Sequence, residues 1–186
     1  MTWVLRCVKL KKIRFINNLD FKLFGGGRNQ MKGEKQVIEG LNEVLMAELT
    51  AINMYYIHYR MQDNDGFDKL ASHARDESME EMKHADKMIE RILFLEGTPN
   101  MAKYDEILVG DNCEAQLKNQ YRRETEHVER LRRIIDLCID KKDFRTKEIL
   151  DGILEDTENQ VDYLEKQFQR IKDVGIQNYL AEHMHN

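Results

Sequence analysis

Glu81 and His84, in the stretch MEEMKHADKMIE (79–90), stand three residues apart, so a helix carries the carboxylate and the imidazole on one face. Such oxygen and nitrogen donors suit iron or manganese. A complete two-metal centre in a helical bundle takes one Glu from each of two helices and Glu-x-x-His from each of the other two. Glu48, set among Leu41, Leu45, Ile52 and Tyr55, and Glu124, between Tyr121 and Val128, supply candidate single carboxylates. A carboxylate buried alone either protonates or recruits a cation. A salt bridge would account for any one of these residues; three carboxylates and an imidazole at similar depth point to a metal. On the fourth helix the same register falls on Thr157 and Gln160, neither a good iron ligand. Four carboxylates balance two Fe²⁺ and three do not, so a single or labile iron is expected. Glu124 and His127 also spell Glu-x-x-His, but His127, within RRETEHVERLRR, is expected at a solvated edge and outside the ligand set. His58, His73, His183 and His185 are read as surface residues. Met82 sits beside Glu81 on a neighbouring face, and a lone helical Met is ordinarily core filler.

Four apolar stripes must position these groups. Val37, Leu41, Leu45, Glu48, Ile52, Tyr55 and Tyr59 step by three or four, the period of one helix face, and QDNDG (62–66) ends the run. A second stripe runs from Leu70 through Glu77, Glu81, His84 and Met88 to Leu95, where EGTPN stops it. A third starts near Cys113 and ends near Cys138; a fourth runs from about Asp143 to Ile171, and Gly175 breaks the chain before a short tail. Short turns join helices one to two and three to four, whereas residues 97–112 are long enough to run the length of a bundle. The expected fold is all-α: a ferritin-like four-helix bundle with a long crossover between helices two and three and a short fifth, C-terminal helix.

Charged residues make up 34 % of the 186 and there is one Pro, a helical and soluble composition. Of 29 Lys/Arg and 34 Asp/Glu, seven and one fall in residues 1–30, so the remaining 22 and 33 give residues 31–186 a formal charge of −11. An acidic body suits cation handling and argues against a nucleic-acid surface there. Residues 1–30 read as a basic extension ahead of the 31–186 domain. FGGGRNQM resembles a translated purine-rich ribosome-binding site, which favours Met31 as the true start. No run approaches a membrane span, and the scattered Cys7, Cys113 and Cys138 form neither a disulfide framework nor a metal cluster, so a cytoplasmic location is expected.

The runs MKGEKQVIEGLNEVLMAELTAIN, EEMKHADKMIERILFLEGTPN and GIQNYLAEH strongly resemble the bacterioferritins over nearly all of 31–186. The resemblance implies a 24-subunit shell that oxidises Fe²⁺, stores it as ferric mineral and releases it with the help of haem. Glu48, Glu81, His84 and Glu124 would be iron ligands, with Glu81 bridging, and Tyr55 matches a tyrosine beside the family's iron site. The family's fourth-helix Glu and His fall on Thr157 and Gln160, a departure at the gap already noted. Met82 matches the axial ligand of a b-type haem shared by two subunits across a two-fold axis, and Leu49, Asn53 and Tyr56 flank that face. The resulting expectation is a haem-binding iron-storage subunit with an impaired ferroxidase centre and fewer than two tightly held irons. It would form a homo- or hetero-24-mer, with a competent sibling subunit and a small electron-donor protein as partners. One alternative is an active homopolymeric ferroxidase whose di-iron site is rearranged around Glu124 and His127 or Glu158. Another is a nucleic-acid-binding relative that uses the basic arm.

Overall fold

A computed structural model of the chain describes residues 32–184. The basic extension and His185 lie outside the described residues. Five helices follow in order: α1 Lys35–Asn64, α2 Asp68–Phe94, α3 Cys113–Asp140, α4 Phe144–Val174 and α5 Ile176–Ala181. Among the described residues there is no strand. α1 packs on α2 and α3 on α4 as hairpins, the 95–112 crossover joins the two pairs, and α1 also packs on α3. This is the expected ferritin-like bundle, and none of its helices is long and apolar enough to cross a membrane.

Local chemistry sets the helix ends. The Asn112 side chain accepts from the Ala115 N–H at 2.9 Å and Asp143 from the Thr146 N–H at 3.0 Å, capping α3 and α4. Gly175, at φ +80°, turns the chain from α4 into α5. α1 approaches α3 at Gly40, where a Cβ would come within 2.9 Å of Ile134 Cδ1.

The interior is stratified. One apolar layer gathers Leu41, Leu45, Met88, Ile92, Leu131 and Ile153; another gathers Leu70, Leu117, Leu164 and Tyr179. Each buried Leu or Ile contributes roughly 1.5–3 kcal/mol. The buried polar groups Glu48, Glu81, His84, Glu124, His127, Thr157 and Gln160 sit on the four helices that these apolar side chains pack together.

Polar side chains of the bundle hold the crossover. Asn42 Oδ1 accepts from the Asn100 N–H (2.7 Å) and Thr50 Oγ1 from the Asp105 N–H (2.9 Å). Asp105 accepts from both Arg123 and Arg130. His58 belongs to this clamp and corrects its reading as a surface residue: it is fully buried, its Nε2 donates to the Leu108 carbonyl at 2.9 Å, and its Nδ1 accepts from Gln120 at 3.0 Å. Burial lowers its pKa and keeps it neutral.

Candidate metal centre

Glu48, Glu81 and His84 converge. One donor atom from each lies within 4.8 Å of the others, and all three side chains are buried. α1 delivers the first, and one turn of α2 delivers the other two. Glu124 enters from α3, its Oε1 accepting from the Tyr55 hydroxyl at 2.6 Å. The four expected ligands and Tyr55 are thus all buried in the bundle. Beside them a cavity of about 230 Å³ is lined by Glu77, Glu80, Glu81, His84, Glu124, Asp156, Thr157 and Gln160, among others.

The electrostatics are those of crowded acids. Burial, then the neighbouring Glu48 charge, pushes the Glu81 carboxyl up to about 7. Burial and the Glu81 charge push Glu124 up to about 8. Glu48 is raised by burial as well. Burial alone would lower His84, but its hydrogen bond to Glu81 and the charges of Glu48 and Glu81 outweigh it, and the imidazole rises to about 9. His84 Nδ1 faces Glu81 Oε2 at 3.1 Å and Nε2 faces Asp156 Oδ2 at 3.2 Å. A carboxylate only accepts, so both ring nitrogens carry hydrogens and His84 is an imidazolium. One internal cation is set against three buried acids. Glu48 Oε2 is buried with no hydrogen-bond partner. Two carboxylates and one imidazole, with an orphaned oxygen among them, fit a divalent ion such as Fe²⁺.

α4 contributes differently. Thr157 Oγ1 donates to the Ile153 carbonyl of its own helix at 2.8 Å. Gln160 Nε2 donates to the Tyr55 oxygen at 3.1 Å and lies 3.2 Å from His73 Nε2. His73, read as a surface residue, is only partly exposed and stacks on Tyr163 at 3.8 Å. His183 is also partly buried, its Nδ1 2.6 Å from the Tyr179 carbonyl oxygen. Glu158 points away from the centre and pairs with Arg132 at 2.8 Å.

His127 corrects the expectation of a solvated edge. It is buried, and its Nε2 donates to Glu48 Oε1 at 3.0 Å. Three residues on from Glu124, it is displaced only about 60° around α3. The charged Arg122, Glu126 and Glu129 that made its neighbourhood look wet occupy the opposite face.

Other residues were missed from sequence. Glu77, one turn before Glu81 on the same stripe, lines the cavity, and burial with the charges of Glu81 and Glu80 raises it to about 7. Its place in the stripe was the available signal. Asp156 meets His84. Met82 is 49 % exposed, on a depression of about 570 Å³ that is lined by Leu49, Ile52, Met79, Ile89 and Met101, among others. Met79, one turn from Met82, and Met101, on the crossover, were not anticipated there. Asn53 and Tyr56 lie one and two turns beyond Leu49 on α1; the Asn53 side chain donates to the Leu49 carbonyl and Tyr56 is exposed.

This bundle and its acidic interior define a class: a family model for the ferritin-like domain matches residues 38–174. Bacterioferritin of Mycobacterium avium is 40 % identical over 152 residues, covering 82 % of this chain and 96 % of that protein. Bacterioferritin of Streptomyces coelicolor is 41 % identical over 151 residues (81 % and 90 %), and that of Rhodobacter capsulatus 41 % over 149 (80 % and 92 %). The chain belongs to the bacterioferritins, a family of iron-storage proteins.

Proposed function

We propose that this chain is the haem-binding subunit of a bacterioferritin shell whose own ferroxidase centre is incomplete on the α4 side. The observation that carries the reading is how α4 uses its two centre-facing side chains. Thr157 is bonded to its own backbone and Gln160 to Tyr55, so neither offers an anionic donor. Fe²⁺, the substrate, is held by Glu48, Glu81 and His84. As Fe²⁺ binds, His84 must release its Nδ1 proton to solvent so that the lone pair faces the ion, and the carboxyls must likewise shed the protons that burial favours. Two adjacent ions together supply two electrons to the same dioxygen molecule, whereas a single ion supplies only one, so oxidation at a singly filled centre is slow. A sibling subunit with a complete centre, assembled in the same cytoplasmic shell, would do the rapid oxidation.

The Met82 surface fits haem: an exposed thioether rises from an apolar wall of Leu49, Ile52 and Ile89. Met82 would hold the haem through its thioether, together with Met82 of a two-fold-related copy. Bound there, haem supplies one-electron chemistry.

The test restores α4. Thr157→Glu with Gln160→His is expected to raise the initial rate of aerobic Fe²⁺ oxidation at least tenfold over the unsubstituted shell, with the second ion now bound. An unchanged rate in a correctly assembled variant would contradict the reading. A rearranged homopolymeric ferroxidase is the second reading, and Glu77 favours it as a fourth, mostly buried carboxyl on the same cavity. On that reading the unsubstituted shell is already fast and Glu77→Gln slows it.

A further inference from the structure

His127 has a role that the ligand set leaves unassigned. Its Nε2 donates to Glu48 Oε1 at 3.0 Å, and both side chains are at least nine-tenths buried. With Oε1 occupied, the other Glu48 oxygen, Oε2, is buried with no partner. Donor atoms converge in two groups, the buried Glu48, Glu81 and His84 and the more exposed Glu80, His84 and Asp156, and His127 is in neither. Once Glu48 is ionised, as metal binding requires, its oxygen only accepts, so Nε2 carries the hydrogen and has no lone pair for a metal. Nδ1 is the lone-pair nitrogen, and it is buried without a partner.

We infer that His127 is a positioning residue for the metal centre: it fixes Glu48 through one oxygen and leaves the other bare for the ion. Outer partners that lock a ligating carboxylate in one orientation typically govern metal affinity by 10–100-fold. Glu48 has special need of one. α1 supplies a single ligand, whereas α2 supplies two that brace each other. Without His127 the Glu48 side chain has no neutral donor on Oε1 and is free to rotate away or to stay protonated. The inference rests on the reading of Glu48, Glu81 and His84 as a metal site and assigns the imidazole on α3 to support rather than ligation.

The test uses the assembled full-length protein, stripped of metal and titrated with Co²⁺, whose visible bands report binding and donor type. The unsubstituted protein should take up Co²⁺ with a single imidazole ligand. His127→Leu removes the hydrogen-bond donor and should weaken Co²⁺ about 10–100-fold. His127→Gln keeps an N–H at comparable reach but is a poor ligand, and it should hold Co²⁺ close to the original affinity with the same bands. A His127 that merely fills space would leave the affinity of both variants unchanged, which overturns the inference. A His127 that ligates directly would make Gln as damaging as Leu and change the bands, which overturns it too. If His127→Leu fails to assemble, His127→Met takes its place as the variant without a donor: weakened Co²⁺ in Met with retained affinity and bands in Gln supports positioning, unchanged affinity in both refutes it, and two imidazoles counted by X-ray absorption of the unsubstituted protein refute it as well. No tight Co²⁺ binding by the unsubstituted protein would instead refute the metal site on which the inference rests.

Discussion

Protons and a metal ion compete for the same carboxylates. In the metal-free protein Glu81 titrates near 7 and Glu124 near 8, both raised chiefly by burial, and His84 near 9. A group whose folded pKa exceeds its unfolded value stabilises the fold fully below the unfolded pKa and loses that contribution as pH rises through the folded one. For Glu81 and Glu124 the loss runs from about 4.5 to about 8; for His84 it runs from 6.5 to about 9. Burial lowers His127 to about 4, so its opposite contribution is complete once pH passes 6.5. Above 6.5 Glu81, Glu124 and His84 agree in direction and His127 no longer opposes them. The melting temperature of the stripped protein should therefore fall between pH 6.5 and 8, and saturating Co²⁺ should flatten the decline by replacing the displaced protons. A stripped protein that becomes more stable across that interval would show that the acids are not crowded as described.

At the level of elements, the stripes of α1–α4 were legible because apolar period, turn residues and caps agree. The third helix begins at Cys113 as the pattern requires, and Asn112 caps it. The buried polar positions on α1, α2 and α3 were legible as candidate ligands because a carboxylate set inside an apolar stripe must find a cation or keep a proton. His58 and His127 were not, for a tertiary reason. Each lies on a turn rich in polar neighbours, and its burial depends on another segment reaching it: the crossover carbonyl of Leu108 for His58, the carboxylate of Glu48 for His127. Glu77 stood in the stripe but lacked an imidazole three residues on, so motif spacing passed over it. α4 was legible as a gap, yet the use of Gln160 as a donor to Tyr55 could not be foreseen from a stripe.

On the scale of the whole molecule, two features face opposite ways from the same turn of α2. Glu81 and His84 point into the bundle, and Met82 points out, 49 % exposed beside the exposed Met79 and the crossover's Met101. On the proposed reading, one helix turn would serve an internal metal site and an intersubunit haem without either disturbing the other. Met82→Leu keeps the apolar wall but removes the thioether. It should abolish stoichiometric haem, read from the Soret band of the reconstituted protein, while leaving Co²⁺ binding at the inner site unchanged; full haem retention would remove Met82 from that role. The central claim, an inner centre whose α4 side holds no second ion, is tested most directly by stopped-flow oxidation of Fe²⁺ in air by the shell assembled from this chain alone. The expected result is a fast phase that is absent or saturates at no more than one Fe²⁺ per subunit, followed by slow oxidation. A fast phase that consumes two Fe²⁺ per subunit would contradict it.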